Sequence, residues 1–196
     1  VFDMVPGRTQ ADLDSYFSRL EGLDRVRWVS SDMYPPFWKS IARYTPNATW
    51  VIDHFHVVKG ANEALDAVRK GLQTSLDRKG RLELKKGLAH TLRKRSRDLS
   101  PYEASTLRQL RLEAGYSSLM TAYDLKEDFF DIYDEHPFSR EDAEDAFDAW
   151  KASIPDDKAY DPFRGLAKAV ENHREFIFNY WECPSRISNG YTECAN

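Results

Sequence analysis

Long apolar runs are missing from this chain of 196 residues. No stretch reaches the roughly 18 consecutive apolar residues that a membrane-spanning helix needs, so no such helix is expected. The first residues, Val1-Phe2-Asp3-Met4-Val5, lack a basic segment followed by an apolar one, so no secretory signal peptide is expected there. Cysteine is scarce: Cys183 and Cys194 are the two present, and they form no metal-ligand or redox spacing. That usage fits a reducing, cytoplasmic compartment. No glycine-rich phosphate loop follows any expected strand. No Ser/His/Asp or Cys/His nucleophile pattern stands out, and internal repeats and low-complexity segments are absent.

What is present suits a globular chain. Hydrophobic residues make up 41% and aromatics 13%, enough to bury a sizeable core, and the length allows one domain with an inserted subdomain. The net charge of -4 hides an asymmetry. From Lys59 to Arg97 bases outnumber acids roughly three to one, and from Asp98 to Asp161 the ratio reverses. Separated blocks of this kind either face different partners or meet each other.

The first third alternates strand and helix signals. Val1–Val5 reads as a short strand stopped by Pro6-Gly7. A helix starts from Thr9 with Leu13, Tyr16, Phe17 and Leu20 on one face, and Gly22 ends it. Val26–Ser30 is a second strand running to Asp32. Pro35 and Pro36 open a helix carrying Phe37, Trp38, Ile41 and Tyr44. Ala48–Ile52 is a third strand running to Asp53. Strands alternating with helices of about ten residues predict parallel strands joined by crossover helices. Beyond His56 the signal is helical: Val57–Leu76, a basic helix over Leu82–Leu92, a capped start at Ser100-Pro101-Tyr102-Glu103, a second start at Ser139 with Asp142, and a helix over Leu166–Tyr180. A turn over Pro184–Gly190 leads to a last helix near Tyr191.

Asp32 and Asp53 each close an expected parallel strand. In open α/β sheets ligands bind beyond the carboxyl ends of the strands, so two adjacent strands present two carboxylates to one crevice. Hard cations such as Mg²⁺ take oxygen ligands of this kind. The competing reading is that each acid caps the helix that follows, and spacing alone leaves both open. Asp53-His54-Phe55-His56 is a dense polar cluster, with Asp53 and His56 on one helical face. There His56 orients a carboxylate or contacts phosphate as a cation. A zinc site is weaker, because no third soft ligand is in view.

These residues resemble a known family. Ser31-Asp32-Met33-Tyr34, Pro46-Asn47-Ala48, Asp53-His54-Phe55-His56-Val57-Val58-Lys59 and Ala64-Leu65-Asp66-Ala67-Val68-Arg69 are similar to the core of ISL3-type insertion-sequence transposases. Ala122-Tyr123-Asp124-Leu125-Lys126-Glu127 is similar to the family too. Ser188-Asn189-Gly190-Tyr191-Thr192-Glu193-Cys194-Ala195-Asn196 resembles its Ser-Asn-x-x-x-Glu-x-x-Asn stretch. The resemblance implies an α/β plus α fold: a partial RNase H-like sheet core with a large all-helical insertion. Residues 1–58 would be the N-terminal part of the core, 59–182 the insertion, and 183–196 the return to the core.

The resemblance also implies a DDE transposase, catalysing metal-dependent DNA strand cleavage and transfer. Asp32 and Glu193 map to two of its three catalytic, metal-binding acids, with Asp53, His56 and Asn189 in support and Mg²⁺ or Mn²⁺ in a two-metal site. The family's first catalytic Asp maps upstream of Val1, so a truncated, catalytically impaired fragment is expected. The edge of the Val26–Ser30 strand would then be filled by Val1–Val5, with Asp3 mimicking the missing acid, or by another protomer. The alternative is an inactive fragment acting only as a DNA-binding or dimerisation module. Transposon ends and target DNA, and a second copy of the chain in a homo-oligomer, are the expected partners.

For DNA contact the candidates are Arg81, Lys85, Lys86, Arg93, Lys94 and Arg95, with Arg97 close by. Such a basic face would neutralise several phosphates and bind with strong salt dependence. Few aromatics interleave these bases, so stacking on single strands is not indicated. The competing reading pairs them with the acids around Asp124–Asp148.

Overall fold

The computed structural model describes residues 6–76, 78–134, 139–184 and 187, with the side chains at 79, 83, 85 and 86 not among them. In chain order the elements are α1 (Gln10–Phe17), β1 (Trp28–Ser31), α2 (Pro35–Tyr44), β2 (Thr49–Ile52), α3 (His54–Gln73) and α4 (Arg78–Glu83). A π-helical turn (Leu84–Leu88) leads into α5 (Ala89–Arg93), followed by α6 (Pro101–Leu112), α7 (Ser117–Asp134), α8 (Arg140–Ser153), α9 (Asp161–Asn172) and α10 (Arg174–Glu182). The described residues are thus mostly helical, with a small two-stranded parallel sheet among them. The expected strand at Val1–Val5, the Asp3 carboxylate and the helix near Tyr191 lie outside the described residues. Two compact units divide the chain: Val1–Val57 with Phe138–Glu141 and His173–Asn196, and Val58–Pro137 with Asp142–Asn172.

The first unit holds the sheet. β1 and β2 pair in parallel, Trp28 with Thr49 through Ser31 with Ile52. β2 is the buried strand, with Trp50, Val51 and Ile52 all inside, as expected when both faces of a parallel strand are covered. α1 starts where Thr9 accepts from the Asp12 amide and Asp12 accepts from the Thr9 amide, a reciprocal cap. It ends at Phe17, earlier than the expected stop at Gly22. Gly22 instead sits at φ 74°, a left-handed conformation that glycine adopts without a Cβ clash, and turns the chain toward β1. α1 docks on α2 through polar and aromatic contacts: the Ser40 hydroxyl donates to Asp14 (2.8 Å), Gln10 donates to Ser40 (3.0 Å), and Phe17 stacks on Tyr44.

The described elements of the second unit are all helical. Leu65, Leu84, Leu92, Leu119, Phe129, Phe147 and Phe163 are each at most 1% exposed. Burial of one such side chain stabilises by about 1.5–3 kcal/mol, so this cluster is the main source of the unit's cohesion. The Trp150 indole N–H is satisfied within it by the Leu125 carbonyl (2.8 Å).

Two helices differ from expectation. The single helix expected over Leu166–Tyr180 is broken at His173, whose backbone (φ -124°, ψ 19°) leaves the helical region. Its carbonyl then accepts from both Phe176 and Ile177 and starts α10 afresh. The break separates two apolar faces belonging to different units: Phe163, Ala167 and Val170 on α9, and Ile177, Phe178 and Tyr180 on α10. The basic helix expected over Leu82–Leu92 is a longer stretch from Arg78 to Arg93, wider wound at its centre.

The cap expected at Ser100 is present, and it carries a pH signature. Ser100 accepts from the Glu103 amide while Glu103 accepts from the Ser100 amide (2.9 Å), and the Lys94 ammonium sits on the same carboxylate at 2.7 Å. The bond from Lys94 first, then those from Ser100, hold the Glu103 carboxyl down from 4.5 to about 2. A depressed acid stabilises the fold fully above its unfolded value, and that contribution fades as pH falls from 4.5 through about 2. An NMR titration of the Glu103 carboxyl is expected to show its midpoint near the lower figure, and a midpoint near 4.5 would contradict the cap.

Candidate functional site

Parallel pairing places the two strand-end acids side by side. Ser31 lies opposite Ile52, and the Asp53 amide donates to the Ser31 carbonyl (2.9 Å), so Asp32 and Asp53 leave adjacent strands at one end of the sheet. Their surroundings differ. Asp32 is half-buried, and its Oδ1 accepts from the Tyr34 amide (2.8 Å) in the turn that opens α2. That is a turn contact ahead of the helix rather than a cap, since Tyr34 is itself the N-cap of α2 and no side chain caps it, and it engages one oxygen; among the described residues Oδ2 is not engaged. Asp53 is fully buried. Its Oδ1 accepts from the Phe55 amide (3.1 Å) and lies 3.5 Å from His54 Nδ1. The His54 ring in turn lies 5.1 Å from that of Tyr180 on α10. His56 is half-buried in the first turn of α3, its amide donating to the Asp53 carbonyl.

Behind these acids lies a polar chain that sequence reasoning missed. The Trp50 indole N–H donates to Ser31 Oγ (2.8 Å), and Ser31 Oγ donates to the Asp32 carbonyl (3.0 Å). Asn179, 6% exposed on α10, donates to the Trp50 carbonyl (2.8 Å) and accepts from Arg140 (3.0 Å). The available signal was a lone amide inside the aromatic run Phe176-Ile177-Phe178-Asn179-Tyr180-Trp181: a buried amide needs partners.

Mg²⁺ and Mn²⁺ prefer carboxylate oxygen and retain several waters, so a half-exposed strand-end carboxylate with one oxygen free is a fitting ligand. Asp32 meets that description. Asp53, fully buried, suits an orienting role. Among the described residues no group of three His, Cys, Asp or Glu side chains is arranged to hold a metal ion. Glu193 and Asn189 lie outside the described residues.

The basic candidates separate into two groups. Arg81 and Arg93 are exposed. Arg81 Nε donates to the Leu76 carbonyl (2.9 Å), and Arg93 stands 4.0 Å from Asp66. Lys94 and Arg95 turn inward. Lys94 pairs with Glu103, while Arg95, its side chain 11% exposed, reaches Glu127 (3.3 Å), Asp131 and Asp134 (2.5 Å) on α7. Arg97 also meets Asp134 (2.9 Å). Part of the basic block thus pairs with the acidic segment. The side chains of Lys85 and Lys86 lie outside those described.

No described helix is long and apolar enough to cross a membrane. The family model for ISL3-type DDE transposases, described as a transposase, matches residues 1–196. A search of curated proteins and a search of solved structures return no match. Matched along its whole length, the chain belongs to the ISL3-type DDE transposase family.

Proposed function

We propose that this chain forms part of a DDE transposase catalytic domain that cuts and joins DNA, with Asp32 and Glu193 as metal ligands and Asp53 and His56 as their support. The observation that carries the reading is the in-register parallel pair β1–β2 delivering Asp32 and Asp53 to one end of the sheet. In this reading β1 and β2 are two strands of an RNase H-like core, and the all-helical unit is the insertion that separates Asp32 from Glu193 along the chain.

When bound, Mg²⁺ or Mn²⁺ supplies water activation and stabilisation of the leaving oxygen at the scissile phosphate. The chain's own residues do the rest. Asp32 is held through one oxygen by the Tyr34 amide, which leaves the second oxygen to a metal ion. Asp53 braces the start of α3, and His56 in the same turn orients a carboxylate or contacts phosphate. Exposed Arg81 and Arg93, with Lys85 and Lys86, track the DNA backbone, and a second copy of the chain completes a homo-oligomer on two transposon ends. Lys94 and Arg95 hold the helices that carry this surface.

The test is Mn²⁺ binding followed by electron paramagnetic resonance, where bound ion loses the sharp six-line signal. The chain is expected to quench that signal, and Asp32→Asn is expected to restore it. Equal quenching by both proteins would overturn the assignment of Asp32.

DNA contact makes a separate expectation. Binding to random duplex should weaken steeply with salt, and Arg81→Gln and Arg93→Gln should each lower the log–log salt slope by about 1. Unchanged slopes would remove both residues from the interface.

A further inference from the structure

We infer that Ser31 and Trp50 are positioning residues for Asp32, forming a brace that runs from α10 through β2 to the candidate metal ligand. The inference rests on Asp32 as that ligand. Ser31 has one hydroxyl, and both of its capacities are used: it accepts from the Trp50 indole at 2.8 Å and donates to the Asp32 carbonyl at 3.0 Å. The indole reaches this hydroxyl because Trp50 lies opposite Val29, and Val29 and Ser31 share a face of β1. Trp50 is 7% exposed and Ser31 8%, so water does not readily replace either bond.

Trp50 is itself anchored. Its carbonyl accepts from Asn179, and its ring packs on Phe176 at 4.5 Å. Asn179 is held in turn by Arg140. Asp32 is therefore fixed at two points, its carboxylate by the Tyr34 amide and its peptide carbonyl by Ser31. A ligand must sit within about 0.5 Å of its productive position, and outer hydrogen bonds that secure it typically change metal affinity by about 10–100-fold. Ser31 and Trp50 occupy that outer layer. Neither is itself a ligand: one is a hydroxyl already engaged and the other an indole donor.

The experiment compares Trp50→Phe, Ser31→Ala, the double variant and Trp150→Phe in the full chain. Trp150→Phe is the control, because it deletes an equally buried indole bond, that to the Leu125 carbonyl, in the other unit. Two readouts are taken: amide hydrogen exchange at Tyr34, which needs no metal, and Mn²⁺ affinity. Trp50→Phe and Ser31→Ala are each expected to speed Tyr34 exchange and weaken Mn²⁺ binding by about 10-fold or more, and the double variant by no more than the worse single.

Trp150→Phe is expected to leave both unchanged while lowering the melting temperature as much as Trp50→Phe does. Unchanged Tyr34 exchange in Trp50→Phe, or an equal change in Trp150→Phe, overturns the brace. If Tyr34 exchange speeds as expected while Asp32→Asn binds Mn²⁺ like the parent, the brace stands and the ligand assignment fails. If Asp32→Asn loses Mn²⁺ while Trp50→Phe keeps it, the assignment stands and the brace fails.

Discussion

Replacement of Glu127 by alanine is expected to lower folding stability by about 3–5 kcal/mol, the scale for stranding a buried charge. Lys126 beside it is fully buried, and its ammonium is met by Glu127 Oε1 (2.6 Å) and by the carbonyls of Leu92 (3.1 Å) and Lys94 (2.6 Å). Burial already pushes the Lys126 ammonium below its ordinary range, and Glu127 is the main group resisting that. The second carboxylate oxygen accepts from the Ser96 amide (2.8 Å) and meets Arg95. One substitution therefore takes the carboxylate from a buried ammonium, which keeps two carbonyls but loses its contacting countercharge, and removes an acceptor from the Ser96 amide and the Arg95 guanidinium. Urea unfolding should show a lower midpoint with an unchanged slope. The double substitution Lys126→Met with Glu127→Leu should recover part of the loss, because an apolar pair leaves no charge behind. A Glu127→Ala protein within about 0.5 kcal/mol of the parent, the usual range of a surface substitution, would show that the cluster is solvated.

The same cluster sets an acid limit. Burial raises the Glu127 carboxyl, but the bonds from Lys126 and Ser96 outweigh it and leave the group below its ordinary 4.5. Its contribution is therefore complete above that ordinary value and is lost as pH falls through the lower, folded one. Glu103 behaves alike through Lys94 and Ser100. Two depressed acids, each joined to the Lys94–Ser96 segment or its neighbours, make acid loosening of the helical unit a shared event.

What the residues alone revealed follows the range of the forces involved. Thr9 and Ser100 were readable as helix starts because a cap is satisfied within three residues. The two strands were readable within two residues of their ends, since a short apolar run bounded by turn residues carries its own signal. The break at His173 was not, for no glycine or proline marks it, and each flanking face answers to the core of a different unit. Asn179 could be marked as a polar residue in an apolar run, but its partner could not be named: the Trp50 carbonyl lies 129 residues away. Charge in the basic block was plain, but its direction was not. Lys94 and Arg95 look like Arg93 in sequence, and only the placement of α6 and α7 against them decides that Lys94 pairs with Glu103 and Arg95 with Glu127, Asp131 and Asp134. Glu193 stood out through family resemblance alone, and it lies outside the described residues.

Asp32 offers the sharpest separation of a structural role from a chemical one. Its Oδ1 accepts from the Tyr34 amide at the start of α2, a bond that asparagine can make equally well. Asp32→Asn should therefore keep stability within a few tenths of a kcal/mol, whereas Asp32→Ala, which cannot accept the bond, should lose about 0.5–1.5 kcal/mol, the net worth of one hydrogen bond. Metal binding divides the same pair differently. A hard divalent ion needs the anionic oxygen, and a neutral amide is a poor substitute. Both variants should then bind Mn²⁺ at least about 100-fold more weakly than the parent, more than the loss of a supporting hydrogen bond costs. A turn role alone would instead make asparagine harmless in both assays and alanine harmful only to stability. If Asp32→Asn retained parental Mn²⁺ affinity, Asp32 would be a turn residue that happens to end a strand. If it lost affinity with its melting curve unchanged, the carboxylate would be chemically required at a position where the fold asks only for a hydrogen-bond acceptor.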